Sequence, residues 1–123
     1  MPTVLEPYHA RGFRFACSIV QLYLELLKLP RVPQHLARQV LQSGTSIGAN
    51  LEEALGAQTR RDVATKFSIA LKETRETAYW LRLLLAANLV TPGHVEVLID
   101  EAKQLTAILT VTRRKLNTPV AQG

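Results

Sequence analysis

The sequence predicts an all-α protein, folded as an antiparallel up-down-up-down four-helix bundle. Apolar residues recur every three or four positions over most of the chain, which is the period of a helix that is buried on one side. Few stretches show the apolar–polar alternation that is typical of strands. The chain has 123 residues, 47% of them hydrophobic, which suits a single folded domain and argues against disorder.

Four helices are predicted at about 11–29, 33–57, 60–88 and 92–116, between tails at residues 1–10 and 117–123. Pro30 and Pro33 bracket the first connection, and Thr91-Pro92-Gly93 marks the third. Connections of a few residues require neighbouring helices to run antiparallel, which gives the bundle its topology.

Helix 1 is apolar over most of its circumference. Its polar residues form one narrow column, which consists of Arg14, Ser18, Gln21, Glu25 and Lys28. A helix of a monomeric bundle needs one apolar stripe, so part of this surface is surplus, and Phe15 and Tyr23 are predicted to contact another copy. Cys17 is predicted to be a small buried residue. As the only cysteine it excludes a disulfide framework, and with no export signal it favours the cytoplasm.

Helix 2 carries Gly44 and Gly48 four residues apart, although an interior glycine costs about 1 kcal/mol relative to alanine. We interpret these glycines as small residues that let another helix approach closely; a local kink or break is the alternative. A phosphate-binding loop is disfavoured, because no Lys followed by Ser or Thr comes after the glycines. Asn50 and Glu53 either join a polar network with helix 3 or face water.

Helices 3 and 4 each begin with a recognisable signal. Thr59 and Asp62 form a variant of the capping box, in which the Thr59 hydroxyl accepts a hydrogen bond from a free backbone N–H. Thr91 is predicted to cap helix 4, with Pro92 in the first turn, where its missing N–H costs nothing. Basic residues gather at the end of helix 4, where they complement the helix dipole.

A second apolar column on helix 3, away from its main stripe, predicts a homo-oligomer. Exposed apolar patches usually mark an interface, although residues scattered singly over the surface are the alternative. Trp80 is the leading candidate, since large aromatic side chains often dominate the energy of an interface. The predicted interface residues are Phe15, Tyr23, Ile69, Trp80 and Leu83.

A basic column follows another face of helix 3, in a chain whose formal net charge is +5. Cationic side chains in a row bind phosphates, and a tyrosine among them can stack on a base. The alternative is the solvated face of an amphipathic helix. The residues predicted to bind nucleic acid are Arg60, Arg61, Lys72, Arg75, Tyr79 and Arg82.

The sequence predicts no enzyme, no metal site and no cofactor. Its three histidines are far apart. Glu73 and Glu76 have the spacing of an acid–base pair, but the interleaved Lys72 and Arg75 favour surface or interface ion pairs. No uncharged window reaches the 18 or more apolar residues of a membrane span.

Two motifs identify a family. The stretch Ser46-Ile47-Gly48-Ala49-Asn50-Leu51-x-Glu53 is followed by Arg61-Asp62 and then by Lys66-x-x-Ile69-Ala70-Leu71-Lys72-Glu73-x-Arg75-Glu76-Thr77-x-Tyr79-Trp80-Leu81-Arg82-Leu83-Leu84. These residues resemble the four-helix-bundle proteins encoded in 23S ribosomal RNA intervening sequences, and the similarity covers about residues 11–116. The accessory variability protein of diversity-generating retroelements is similar at a greater distance.

The resemblance implies a bundle that assembles as a homo-oligomeric ring of five subunits and has no enzymatic activity. In the retroelement relative, the ring is basic and binds nucleic acid and a reverse transcriptase, a partner that fold alone does not transfer. The expected function is therefore a non-catalytic ring that binds RNA or DNA. The alternative is a structural ring whose partner is another protein.

Overall fold

The computed structural model describes residues 7–118, which form four α-helices. The helices are α1 (Tyr8–Leu26), α2 (Gln34–Leu55), α3 (Arg60–Ala86) and α4 (Pro92–Asn117). Each helix packs along the next one in sequence, as expected for an up-down bundle. The predicted all-α, four-helix fold is confirmed.

Side chains at both ends of α1 close the bundle against α4. Arg11 Nη2 donates a hydrogen bond to Glu101 Oε2 at 3.0 Å. At the other end of α1, His94 Nδ1 lies 3.5 Å from Glu25 Oε1. The Thr112 hydroxyl, in the later part of α4, donates to the Tyr8 hydroxyl oxygen at the start of α1 at 3.0 Å. Because the start of α1 meets Thr112 and its end meets the beginning of α4, these two helices run antiparallel.

The helix ends differ from the predicted ones by a few residues. The first helix begins at Tyr8, three residues earlier than expected, directly after Pro7, whose ψ of 138° is not helical. It ends at Leu26, and backbone hydrogen bonds such as Val32 N–H to Leu29 C=O then form turns. Of the predicted tails, residues 1–6 and 119–123 lie outside the described part of the chain.

One of the two predicted side-chain caps is confirmed. The Thr59 hydroxyl accepts a hydrogen bond from the Asp62 backbone N–H at 3.0 Å, which satisfies one of the free amides at the start of α3. Thr91 does occupy the N-cap position of α4, as predicted, but its side chain makes no capping hydrogen bond. Pro92 nevertheless opens α4, and its fixed φ and absent N–H suit this position.

One face of α1 is buried in the core, and the opposite face is exposed to solvent. Phe15, Ile19, Leu22 and Leu26 are buried together. Phe15 is only 2% exposed, so its prediction as an interface residue was wrong: it shares the helix face of Ile19 and packs inside its own bundle. Cys17 was also wrongly placed, because two residues further along the helix it points outward and is exposed.

Glycines bring α1 and α2 into backbone contact. A Cβ atom on Gly44 would lie 2.7 Å from the Ile19 side chain, and one on Gly48 would lie 2.9 Å from the Gly12 carbonyl oxygen. The second helix is continuous from Gln34 to Leu55, so the interpretation as a close approach is confirmed and the break is not. Gly12 is the partner on α1 that the sequence analysis did not select.

We expect Gly48→Ala to lower the free energy of unfolding by about 1–3 kcal/mol, because the new methyl group meets backbone atoms of α1 that move only with the whole helix. Gly93→Ala is the matched control, since nothing lies within 4 Å of a Cβ at that position in α4. Gly93→Ala should raise the free energy of unfolding by about 0.4–1 kcal/mol. Urea unfolding measures both variants, and effects of the same sign would contradict the role of Gly48.

Candidate nucleic-acid interface

The basic column predicted on α3 lies on an exposed face of the bundle. Arg61, Lys72, Arg75, Tyr79 and Arg82 are all exposed. Their spacing of 11, 3, 4 and 3 residues keeps them on one side of the helix. At about 1.5 Å per residue, the row from the first to the last arginine is roughly 31 Å long. We call these five residues the basic column.

The opposite side of α3 explains why the column faces water. Phe67, Leu71, Thr74 and Leu81 are buried against the other helices. The Thr74 hydroxyl, which is fully buried, donates to the Ala70 carbonyl oxygen at 2.7 Å and so needs no partner from another helix. With this face held in the core, the helix period turns the cationic positions outward.

Arg60 behaves differently from the basic column. Its Nε donates to the Leu116 carbonyl oxygen at 3.0 Å, and its Nη2 donates to the Lys115 carbonyl oxygen at 2.8 Å. The guanidinium thus satisfies two of the last carbonyl groups of α4, which an α-helix leaves without intrahelical partners. Arg60 connects the beginning of α3 to the end of α4, a role that the sequence analysis did not foresee.

Tyr79 places an aromatic ring between Arg75 and Arg82 of the column. The side chain is 51% exposed, and its ring lies edge to face with that of Trp80, with centroids 5.1 Å apart. The neighbouring indole thereby restricts the tyrosine ring while one side of it stays accessible. An accessible ring between cations is the arrangement on which a nucleic-acid base can stack.

Two carboxyl groups lie on α3 among the residues of the column. Glu73 and Glu76 are half-buried, and the Trp80 indole N–H donates a long hydrogen bond of 3.5 Å to Glu76 Oε1. Burial raises the pKa of Glu73 above its ordinary value, and the neighbouring Glu76 raises it further, whereas Lys72 lowers it. The column is therefore flanked by a carboxyl group that gives up its proton less readily than a solvated one.

The other predicted interface residues are half-buried within a single bundle. Tyr23 and Trp80 pack against its core, and Ile69 and Leu83 are likewise of intermediate exposure. Whether they contact another copy stays a prediction. More apolar surface is exposed elsewhere, on the face of α1 that turns away from the core.

That face carries a continuous row of five apolar side chains. Phe13 is 67% exposed and Leu24 is 55% exposed, and the remaining members are exposed as well. The spacing of 4, 3, 4 and 3 residues is the heptad pattern of helices that pack side by side. This spacing is visible in the sequence, but the sequence does not distinguish the exposed row from the buried apolar row beside it. We call the five residues the apolar α1 stripe: Phe13, Cys17, Val20, Leu24 and Leu27.

Asn50 and Glu53 do not form one network. The Asn50 side-chain amide donates to the backbone and hydroxyl oxygens of Ser46, both within α2. Glu53 alone reaches α3, where its Oε1 accepts a hydrogen bond from Lys66 Nζ at 2.6 Å. Because both partners of this ion pair are partly exposed, it adds little stability.

None of the helices in residues 7–118 combines the length and the hydropathy that crossing a membrane requires.

The sequence of the chain matches a known protein family. The profile of the 23S rRNA-intervening sequence protein family matches residues 8–111, nearly the whole bundle. The chain belongs to this family. The resemblance noted in the sequence is thereby confirmed.

A solved structure agrees with this membership. The chain superimposes on a protein of unknown function from the S23 ribosomal protein family of Bacteroides thetaiotaomicron with a TM-score of 0.79. The two sequences are 36% identical, and the match covers 90% of this chain and 99% of the other. No curated protein matches the chain.

The raised pKa of Glu73 gives this family member a predicted pH dependence. Since the folded state holds the proton more tightly than the unfolded chain, the Glu73 contribution to stability is lost as pH rises from about 4.5 through the folded pKa. Glu73→Gln, which stays neutral, should therefore raise the urea midpoint at pH 7 and change it less at pH 4. Glu52→Gln, at an exposed position of α2, is the control. An equal gain at both pH values would contradict the prediction.

Proposed function

We propose that this protein is a non-catalytic, cytoplasmic scaffold that assembles as a homo-oligomeric ring and binds nucleic acid through the basic column. The observation that carries this proposal is the row of exposed cations along one face of α3, which extends over roughly 31 Å. Phosphates along a nucleic-acid backbone are spaced regularly, so a row of this length meets several of them in succession.

The chemistry of the column favours binding that is independent of sequence. Arginine and lysine neutralise phosphates and release counterions, which makes the affinity depend strongly on salt. Lys72, Arg75 and Arg82 supply these contacts, and Tyr79 adds a stacking surface that accepts any base. RNA and DNA both fit this description.

The apolar α1 stripe supports the assembly part of the proposal. Monomeric proteins rarely leave a continuous apolar surface of this kind exposed, and the heptad spacing suits packing against a helix of another copy. Repeating the basic column around a closed ring multiplies a modest charge per chain into a larger positive field. The family resemblance favours a ring of five.

A second candidate function is a structural ring whose partner is another protein. Exposed apolar residues outside the α1 stripe favour it, since Leu55 is 60% exposed and Val97 is 64% exposed. Recovery of one protein at a fixed stoichiometry, insensitive to nuclease, would support this function in place of nucleic-acid binding.

Replacing one cation of the basic column should weaken binding to all sequences alike. We expect Arg75→Glu to lower the affinity for a mixed-sequence RNA or DNA by about tenfold or more at low ionic strength, and to reduce the salt slope by about 1. Arg38→Glu makes the same charge change at an exposed position of α2, and it should have a much smaller effect. Electrophoretic mobility shifts over a salt series measure both. Equal losses, or binding that does not depend on salt, would contradict the proposal.

Polar substitutions in the apolar α1 stripe should prevent assembly without unfolding the bundle. We expect Phe13→Ser combined with Leu24→Ser to lower the solution mass to that of a monomer, because both side chains are largely exposed within one bundle. Leu55→Ser is the control, since Leu55 is equally exposed but lies on α2. Light scattering gives the mass and circular dichroism the helix content. An unchanged mass would exclude the stripe as the contact between copies.

A further inference from the structure

A cleft opens at the end of the bundle where α3 begins and α4 ends. Its volume is about 410 Å³, which is within the usual range for a small-ligand pocket. Among the described residues that line it, the charged ones are both arginines. We call it the basic cleft; its walls include Arg60, Arg61, Thr65, Ser68, Leu116 and Asn117.

The fixed position of Arg60 makes the basic cleft a place for an anion. Its guanidinium is held by the Leu116 and Lys115 carbonyl oxygens, so it neutralises the negative end of α4 beside the cleft. A guanidinium has five N–H donors, and these two hydrogen bonds use only part of them. Arg61 brings a second guanidinium to the same cleft.

Two of the neutral residues that line the cleft carry further donor groups, and Thr65 is not one of them. The Thr65 hydroxyl already donates to the Arg61 carbonyl oxygen at 3.0 Å, so it has only acceptor capacity left. Ser68 contributes a hydroxyl group and Asn117 a side-chain amide. A group with several acceptor oxygens is what two guanidinium forks, a hydroxyl and an amide bind best.

A neighbouring cleft shows that the charges at this end of the bundle are separated. It shares Thr65 with the basic cleft, but its charged lining consists of Glu53, Asp62 and Lys66. Two of these three residues are acidic, and Lys66 is already paired with Glu53. An anion that reaches this end of the molecule is therefore attracted to one cleft and repelled by the other.

We propose that the basic cleft binds a phosphate monoester, supplied by the end of a nucleic-acid strand that lies along the basic column. Arg61 belongs to both the cleft and the column, so a strand that follows the column from Arg82 reaches the cleft directly. The volume accommodates a terminal nucleotide, with Leu116 as an apolar wall for the sugar. This inference rests on the proposed function for its ligand; a free nucleotide would supply the same group.

The test compares two oligonucleotides of one sequence, one with a terminal 5′-phosphate and one with a 5′-hydroxyl, each labelled at the 3′ end. Fluorescence anisotropy with the full chain should show about tenfold tighter binding of the phosphorylated strand. Arg61→Gln should abolish this preference, because it removes the charged fork. Lys66→Gln, in the neighbouring cleft, should retain it, and so should Arg75→Glu, although the latter binds both strands more weakly. Equal affinities in the unsubstituted protein, or a preference retained in Arg61→Gln, would overturn the proposal.

A second measurement separates failure of the cleft from failure of the proposed function. Calorimetry with a nucleoside 5′-monophosphate and with the matching nucleoside needs no strand along the column. If neither oligonucleotide binds, the function proposed above fails. In that case the proposed phosphate site still stands, with a free nucleotide as its ligand, if the monophosphate binds, the nucleoside does not, and Arg61→Gln abolishes the binding. Absence of monophosphate binding in the same case would overturn both proposals.

Discussion

Gly12 and Gly48 meet through their backbones where α1 packs on α2, and the placement of the other α1 side chains depends on this contact. Without Cβ atoms at these positions the two helices come closer than ordinary side chains allow, and Gly44 makes room for Ile19 in the same interface. Once α1 is seated in this way, its rotation about its own axis is determined. One heptad row enters the core, and the row with Phe13 and Leu24 remains outside.

The third helix also has two faces of different character. Its core face holds the bundle together, whereas the opposite face presents the basic column to solvent. Arg60, at the start of the helix, belongs to neither face, because its side chain binds carbonyl groups of α4. That contact joins the two chain segments that form the walls of the basic cleft, so one structural interaction also positions a candidate binding site.

Membership of the 23S rRNA-intervening sequence protein family explains the fold but not the activity. The function is therefore inferred from the chemistry of the molecular surface. The structural neighbour from Bacteroides thetaiotaomicron is itself described as a protein of unknown function. The basic column, the basic cleft and the apolar α1 stripe carry the functional proposals, because each combines exposure with a definite chemistry. The column and cleft suit phosphates, and the stripe suits a second copy of the chain.

The sequence by itself determined the features that depend on local spacing. These are the four helices, the Thr59 cap, the close approach at Gly44 and Gly48, and the common face of the basic column. The tertiary structure alone decided which face of α1 enters the core, and so placed Phe15 inside and Cys17 outside. The physical reason is that a helix with apolar residues on most sides has no single preferred buried face, so packing against the neighbouring helices determines which face is buried. The Arg60 contact was hidden for a related reason, since it joins residues 55 positions apart.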